Sequence, residues 1–289
     1  MTTFFQEVRY ACRGFKKSPA FTLTAVLMLA FGIGATTAIF SVVDGVLLRS
    51  LPFQQADRLV TLGDQVSGLQ FGELDLVTAP EMLRYQRNLH SFSSLGGWTT
   101  AGFELSGVGQ PAMILAARMT PSMFTTLGVA PLMGRVFTEQ EDSERAQVAV
   151  LYYDTWKSRF NSNPNVLGTK ILLSRKPYIV IGVMPKGFTF PLLVGTDFRA
   201  AELWVPMSFS PEELQPNGGW DFEMVGRLKP GVKAAQAESE ANGVAQETMR
   251  TLPPKLANLR IQAVVYPLQQ KTVNYERSCC GCCSGRSRS

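Results

Sequence analysis

The residues best suited to chemistry lie at the end of the chain. The last eleven, CCGCCSGRSRS, hold Cys279, Cys280, Cys282 and Cys283, four of the five cysteines. Four thiolates are a soft-metal ligand set, and pairs of them can close disulfides. A structural zinc site, however, spaces its ligand pairs by two to four residues on turns over a small core. This tail has no residue that could build a core. The lone histidine, His90, falls at the end of a predicted helix and reads as a helix-end surface residue. Glu139, Glu141, Asp142 and Glu144 make an acidic run. It lacks the alternate-position Asp/Asn spacing and the turn glycine of a calcium loop, so a solvated loop is expected. Trp98, Trp156, Trp204 and Trp220 read as core or subdomain-contact residues, with an aromatic ligand cleft as the alternative. Neither G-x-x-x-x-G-K-[ST], nor G-x-S-x-G, nor H-E-x-x-H occurs. Without a phosphate-binding loop the chain is not its own ATPase. No catalytic residue, cofactor ligand or metal ligand is assigned, and the chain reads as a non-enzyme.

What positions these residues begins with charge. Of the formal +5, residues 1–20 carry +3 through Arg9, Arg13, Lys16 and Lys17 against Glu7, and residues 277–289 carry another +3. The 256 residues between them therefore sum to −1, with no basic stripe for nucleic acid. A cysteine-free body offers no disulfide framework. Hydrophobic residues reach 45% with only 18% charged, which points to a concentrated membrane segment. That segment is AFTLTAVLMLAFGIGATTAIFSVV, Ala20 to Val43, without a charge. As a helix it would be about 36 Å long, more than the roughly 30 Å of a hydrocarbon core. Cations before it place Met1–Lys17 in the cytoplasm and the rest outside. The run is longer than a signal-peptide core, and ATTA is a poor cleavage site, so an uncleaved anchor is expected. Residues 1–18 read as an interfacial helix with Phe4, Phe5, Val8, Cys12 and Phe15 on one face. Residues 19–48 are read as the transmembrane helix. Ala30, Gly34, Ala38, Ser41 and Gly45 form a small-residue stripe on it, suited to close approach of another helix, in which case the chain forms a weak homodimer in membranes. Asp44, at the outer end, can be hydrated and is given no proton-relay role.

Beyond this the pattern is that of an α+β body. DRLVTL reads as a strand. TAPEMLRYQRNLHSF reads as a helix, with Thr78 as N-cap, Pro80 in the first turn and Glu81 at the third helical position. SFSSLGGWTT reads as ordinary surface sequence. AMILAARM is a β-rich run, TPSMFTTLG a short helix closed by Gly128, RAQVAVL a buried strand and YYDTWKSRF a helix. KILLSRKPYIVIGVM reads as two strands about a tight turn at Ser174–Lys176. DFEMVGRLKPGV gives a strand and a turn. KAAQAESEANGVAQETMRTL is a strong helix interrupted in pattern only by Gly243, and NLRIQAVVYPL is a strand. Two strand–helix–strand units thus pack as one α/β subdomain, about 49–118 and 209–276, with an inserted β-rich subdomain at about 119–208.

Several long runs carry a family resemblance. EVRYACRGFKKSPAFTLTAVLMLAFGIGATTAIFSVVDGVLLRSLPF resembles the amino terminus of MacB/FtsX-type ABC transporter permeases, nearest to the acidobacterial duplicated orphan permeases. MTPSMFTTLGVAPLMGRVFT, VLGTKILLSRKPYIVIGVMPKGF, ELWVP and VGRLKPGV are similar to that family's periplasmic core. The resemblance implies one helix, a periplasmic domain at 49–276 with a porter-like and a β-rich part, then three further helices. It implies an inner-membrane location, and an ABC ATPase and other permease helices as partners, with no cofactor in this chain. Residues 277–289 depart from it. Shifted by one base, leucine codons CTG CTG read TGC TGC, so CCGCCSGRS is expected to be a frameshifted second helix. The function expected is the periplasmic core and first membrane helix of an ABC-type export or mechanotransmission permease, truncated by that frameshift. The alternative is a free-standing, single-pass, membrane-anchored periplasmic domain that binds a ligand or partner.

Overall fold

The computed structural model describes residues 23–24, 27–34, 36–37, 53–67, 75–188, 190, 201–216, 219–251, 254 and 259–270. The chain divides into two units, 1–49 and 50–289. In the first, residues 23–24, 27–34 and 36–37 are helical and exposed. Thr36 and Thr37 donate their hydroxyls to the Gly32 and Ile33 carbonyls one turn back, at 2.6 and 2.7 Å. This is how a hydroxyl is satisfied inside an apolar helix. Among the described residues no helix is long and apolar enough to cross a membrane. Cys12, Asp44, the interfacial segment 1–18 and the tail 277–289 lie outside the described residues.

The second unit is built on a ten-stranded sheet in which one strand belongs to two structures. Strands β1 (Leu59–Ser67), β2 (Phe92–Ser106), β9 (Glu223–Leu228) and β10 (Arg260–Pro267) run β10-β1-β9-β2, all antiparallel. Helix α1 (Ala79–Asn88) connects β1 to β2, and α5 (Ala234–Thr251) connects β9 to β10. Each unit alternates along its strands. Val60, Leu62 and Val66 of β1, Met224 and Leu228 of β9, and Ile261, Ala263 and Val265 of β10 join one core with Met82 and Tyr85 of α1 and Ala237, Ala241 and Ala245 of α5. The period of two in the strands and of four in the helix is what buries one face of each.

β2 then continues into a closed circuit. It pairs with β3 (Ala112–Met119), β3 with β8 (Leu203–Pro206), β8 with β5 (Val148–Leu151), β5 with β7 (Lys176–Val183), β7 with β6 (Lys170–Leu173), and β6 returns to β2 at Leu105↔Leu173. This six-stranded barrel is filled by Leu105, Ile114, Leu151, Ile171, Leu173, Val180, Leu203 and Val205. β4 (Met133–Gly134) adds to β7. The β6–β7 turn has Ser174 and Arg175 both at positive φ, 48° and 68°, the geometry that matches strand twist in a two-residue hairpin.

A third cluster wedges sheet and barrel together. Leu59, Trp98 and Val225 from the sheet face away from α1 and α5, and meet Val148, Val150 and Trp204 on the outer face of the barrel. Helix α2 (Ser122–Leu127) supplies Met123, Phe124 and Leu127, and closes at Gly128 with φ 68°. Helices α3 (Glu139–Ser143) and α4 (Tyr153–Arg159) complete the unit.

Two local expectations are corrected. SFSSLGGWTT is not surface sequence: it is most of the sheet half of β2, with Phe92, Leu95, Gly96, Gly97 and Trp98 buried. A Cβ on Gly96 would lie 2.8 Å from the Met123 backbone Cα, and one on Gly97 would meet the Met82 side chain. Methionines from α2 and α1 fill the space on the two faces, so the strand is glycine where it is most enclosed. α1 ends at Asn88, short of Phe92. The Thr78 N-cap is as expected: Thr78 accepts from the Glu81 N–H at 3.4 Å, while the Glu81 carboxylate does not accept from the Thr78 N–H and is turned into the core with 1% exposure. The complete capping box is instead at α3, between Thr138 and Glu141.

Candidate functional site: two clefts divided by an ion pair

Where barrel and sheet meet, Arg118 of β3 reaches across to the segment after β8. Its guanidinium bonds the Glu213 carboxylate through Nη1 and Nη2, at 2.8 and 3.0 Å, and the Met207 carbonyl through Nε at 3.0 Å. Glu213 also accepts from the Ser210 N–H at 2.7 Å. The guanidinium beside it holds the Glu213 carboxyl below the usual range, against the opposing effect of partial burial. The bidentate fork fixes orientation as well as charge.

This pair separates two clefts. One, of about 530 Å³, is lined by Trp98, Thr99, Thr100, Phe222 and the carboxylates Asp221 and Glu223. The Thr99 hydroxyl donates to the Asp221 carbonyl at 2.8 Å, pinning its rim. The other, of about 480 Å³, is lined by Arg145, Gln147, Lys176, Phe103, Tyr178 and Ser208. One cleft is acidic with an indole wall; the other is cationic with two rings, Phe103 and Tyr178, set edge to face at 6.4 Å. Opposite charge on the two sides of one ion pair is an arrangement suited to recognition by charge and shape.

The residues marked in the sequence are dispersed. Ala30 and Gly34 are exposed on the amino-terminal helix, and a Cβ on Gly34 would meet nothing within 4 Å; Ala38, Ser41 and Gly45 lie outside the described residues. His90 is exposed just past α1, where its N–H donates to Glu240 Oε1 at 2.7 Å. The acidic run folds as α3 and spends its charge locally. Glu141 pairs with Arg135 at 2.7 Å, and Asp142 Oδ1 accepts from the Ser208 N–H at 2.7 Å. Trp204 is fully buried and donates to the Phe190 carbonyl at 2.9 Å; Trp156 donates to the Asn163 carbonyl. Trp98 is 6% exposed and stacks edge to face on Phe190 while walling the acidic cleft. Sequence reasoning missed the Arg118–Glu213 pair. The two residues stand 95 positions apart, and no motif links them.

The model of the MacB-like periplasmic core domain matches residues 22–244. The chain belongs to this family. Within it, the macrolide export ATP-binding/permease protein MacB of Salmonella paratyphi A is 30% identical over 117 residues, which cover 40% of this chain and 17% of that protein. The Burkholderia thailandensis MacB is 34% identical over 116 residues with the same coverage. The chain thus matches a small part of these relatives' length. Solved structures share the fold. The periplasmic region of MacB from Actinobacillus actinomycetemcomitans superposes with a TM-score of 0.54 at 16% identity, covering 76% of this chain and 94% of that one. The extracellular domain of the noncanonic ABC-type transporter YknZ from Gram-positive bacteria gives 0.51 at 13% identity, covering 72% and 99%. The body of this chain is accordingly a MacB-like periplasmic core of the ABC-permease type.

Proposed function

We propose that the chain is the first membrane helix and periplasmic core of an ABC-type export or mechanotransmission permease, and that it does no chemistry on substrate. The observation that carries the membrane part is the helix around residues 27–34. Met28, Leu29, Phe31 and Ile33 are 72%, 63%, 82% and 61% exposed, so its apolar side chains point in every direction. A helix apolar all round is stable only when something apolar surrounds it. The basic residues before it orient the amino terminus to the cytoplasm and the core to the periplasm of an inner membrane. Exposed Ala30 and Gly34 support a packing face for another permease helix or a second copy. An ABC ATPase on a separate chain would supply the energy. The absence of a phosphate-binding loop from this sequence motivates that partner.

The two clefts favour a second reading, a membrane-anchored domain that binds a ligand or partner without transport. Both readings share one topology, tested first by reporter fusions after residues 17 and 270. Alkaline phosphatase is expected to be active only after residue 270. Activity after residue 17 instead would reject the orientation. Purified chain should neither bind nor hydrolyse ATP. Saturable micromolar binding, in a preparation free of other ATPases, would reject the division of labour. Co-purification with an ABC ATPase from the native membrane separates the permease from the free-standing domain.

A further inference from the structure

Two carboxyls meet in the core under α1, and the recognition role uses neither. Asp64 of β1 is 0% exposed and Glu81 of α1 is 1% exposed. Tyr85, also of α1 and also 0% exposed, donates its hydroxyl to Asp64 Oδ1 at 2.7 Å. Asp64 Oδ2 and both Glu81 oxygens are buried, and Asp64 Oδ2 has no hydrogen-bond donor. An ionised carboxylate only accepts, so two of them facing each other leave every remaining lone pair unmet. Burial of such groups without a partner is among the most costly arrangements in a protein core.

The surroundings supply no donor to Asp64 Oδ2. From α1 come Tyr85, already committed to Asp64 Oδ1, and Arg84, whose Nη1 donates to Thr248 Oγ1 of α5 at 3.1 Å. The Thr248 hydroxyl in turn bonds the Val244 carbonyl at 3.1 Å. Opposite Asp64 in β10 stands Ala263, and the bridge on its other side is Leu76. Asp75 is occupied with the Tyr266 hydroxyl. Desolvation, and then the charge of Glu81, push the Asp64 carboxyl well above the usual carboxylate range. Desolvation also raises Glu81, while hydrogen bonding to Asp64, the Arg84 charge and a hydrogen bond with the Thr248 side chain draw it back.

We propose that Asp64 and Glu81 form a proton-binding site, in which a proton held on Asp64 is donated to Glu81 and ties β1 to α1. One proton, carried by Asp64 Oδ2, removes that orphaned acceptor and gives one Glu81 oxygen a donor. Its loss would leave two like charges in contact between a strand and the helix that covers it. The sign follows from linkage. The folded pair keeps a proton that an unfolded carboxyl, with its ordinary value near about 4, has released. Stability is therefore complete below that value and falls as pH rises from it through the raised folded value. The helix-covered sheet loosens on the alkaline side.

The test uses the full chain in detergent micelles. Infrared spectra at pH 7 are expected to hold the carbonyl stretch of a protonated carboxyl that vanishes in Asp64→Asn and shifts under aspartate-selective carbon-13 labelling. Glu81→Gln is the second variant, and it too should alter the band. In the wild type the unfolding equilibrium constant should rise by up to tenfold per pH unit as pH climbs above the unfolded value near about 4, until the folded pair releases its proton. Asp64→Asn should flatten that slope, because its amide donates to Glu81 where the proton did. A pH 7 spectrum without such a band, or a band indifferent to both variants and to the label, means that both carboxyls are ionised and overturns the proposal.

Discussion

The helix-backed sheet and the barrel bury the same kind of surface in opposite ways. The sheet covers one face with α1 and α5, separate elements that must be docked, and leaves β10 with a free edge in the described residues. The barrel covers its inner face with itself, through the return of β6 to β2. A closed circuit has no edge to protect and no helix to lose. Among the described residues the two buried carboxyls, Asp64 and Glu81, both belong to the sheet half, between β1 and the helix that covers it.

The strongest challenge to that contrast is Trp204→Ala. Trp204 stands on a barrel strand but fills the wedge shared with the sheet. The loss is expected at about 3–5 kcal/mol, read as a denaturant midpoint shift, with amide exchange accelerating in both regions. Exchange confined to the barrel would mean that the wedge does not couple them. Next come matched truncations, Leu62→Ala in the sheet and Leu151→Ala in the barrel, both fully buried. Each should cost about 2–5 kcal/mol. Leu62→Ala should release α1 and α5 from exchange protection while the barrel persists, and Leu151→Ala should open the barrel as a whole. Identical patterns would erase the distinction.

Arg118→Met should cost about 1.5–3 kcal/mol, as hydrogen bonds to a charged group are lost. Its pH signature is opposite to that of the acid pair. The Glu213 carboxyl is depressed by Arg118, so its contribution is present above the ordinary glutamate value and lost as pH falls through the folded one. Wild type should lose this contribution in acid, and Arg118→Met should not, as thermal scans from pH 6 to pH 3 would reveal. The smallest effect is Gly243→Ala. This exposed glycine lies inside α5 with nothing within 4 Å of a Cβ. The substitution should stabilise the sheet half by about 0.5–1 kcal/mol, measured as a raised melting temperature. A loss would mean that the α5 surface is packed against something.

Elements with one clear period were legible in the sequence. β1, β10 and the β6–β7 hairpin alternate, and α5 carries Ala237, Ala241 and Ala245 at a spacing of four that outweighs Gly243. What could not be read depended on distant neighbours. The glycines of β2 look like a loop until Met82 and Met123 are placed against them. Glu81 looks like a capping residue until Asp64 is placed opposite it. The 10-1-9-2 interleaving of the sheet is set by pairing between units more than 100 positions apart, and so is hidden from any local window. Of the candidate site, the tryptophans were read as core or contact residues. The ion pair that divides the clefts left no local trace.

β2 has a mechanical consequence. Fifteen residues long, it is roughly 50 Å of strand at about 3.3 Å per residue, with one irregularity in its pairing to β9 between Phe92 and Ser94. One end is clamped by β9 and the other by β6, with β3 bonded alongside over Trp98 to Leu105. A two-stranded ribbon held in this way resists bending in its own plane and yields mainly to twist. A push delivered to the sheet would then arrive at the barrel as torque about the axis of β2, with the barrel riding as the far end of a stiff crank.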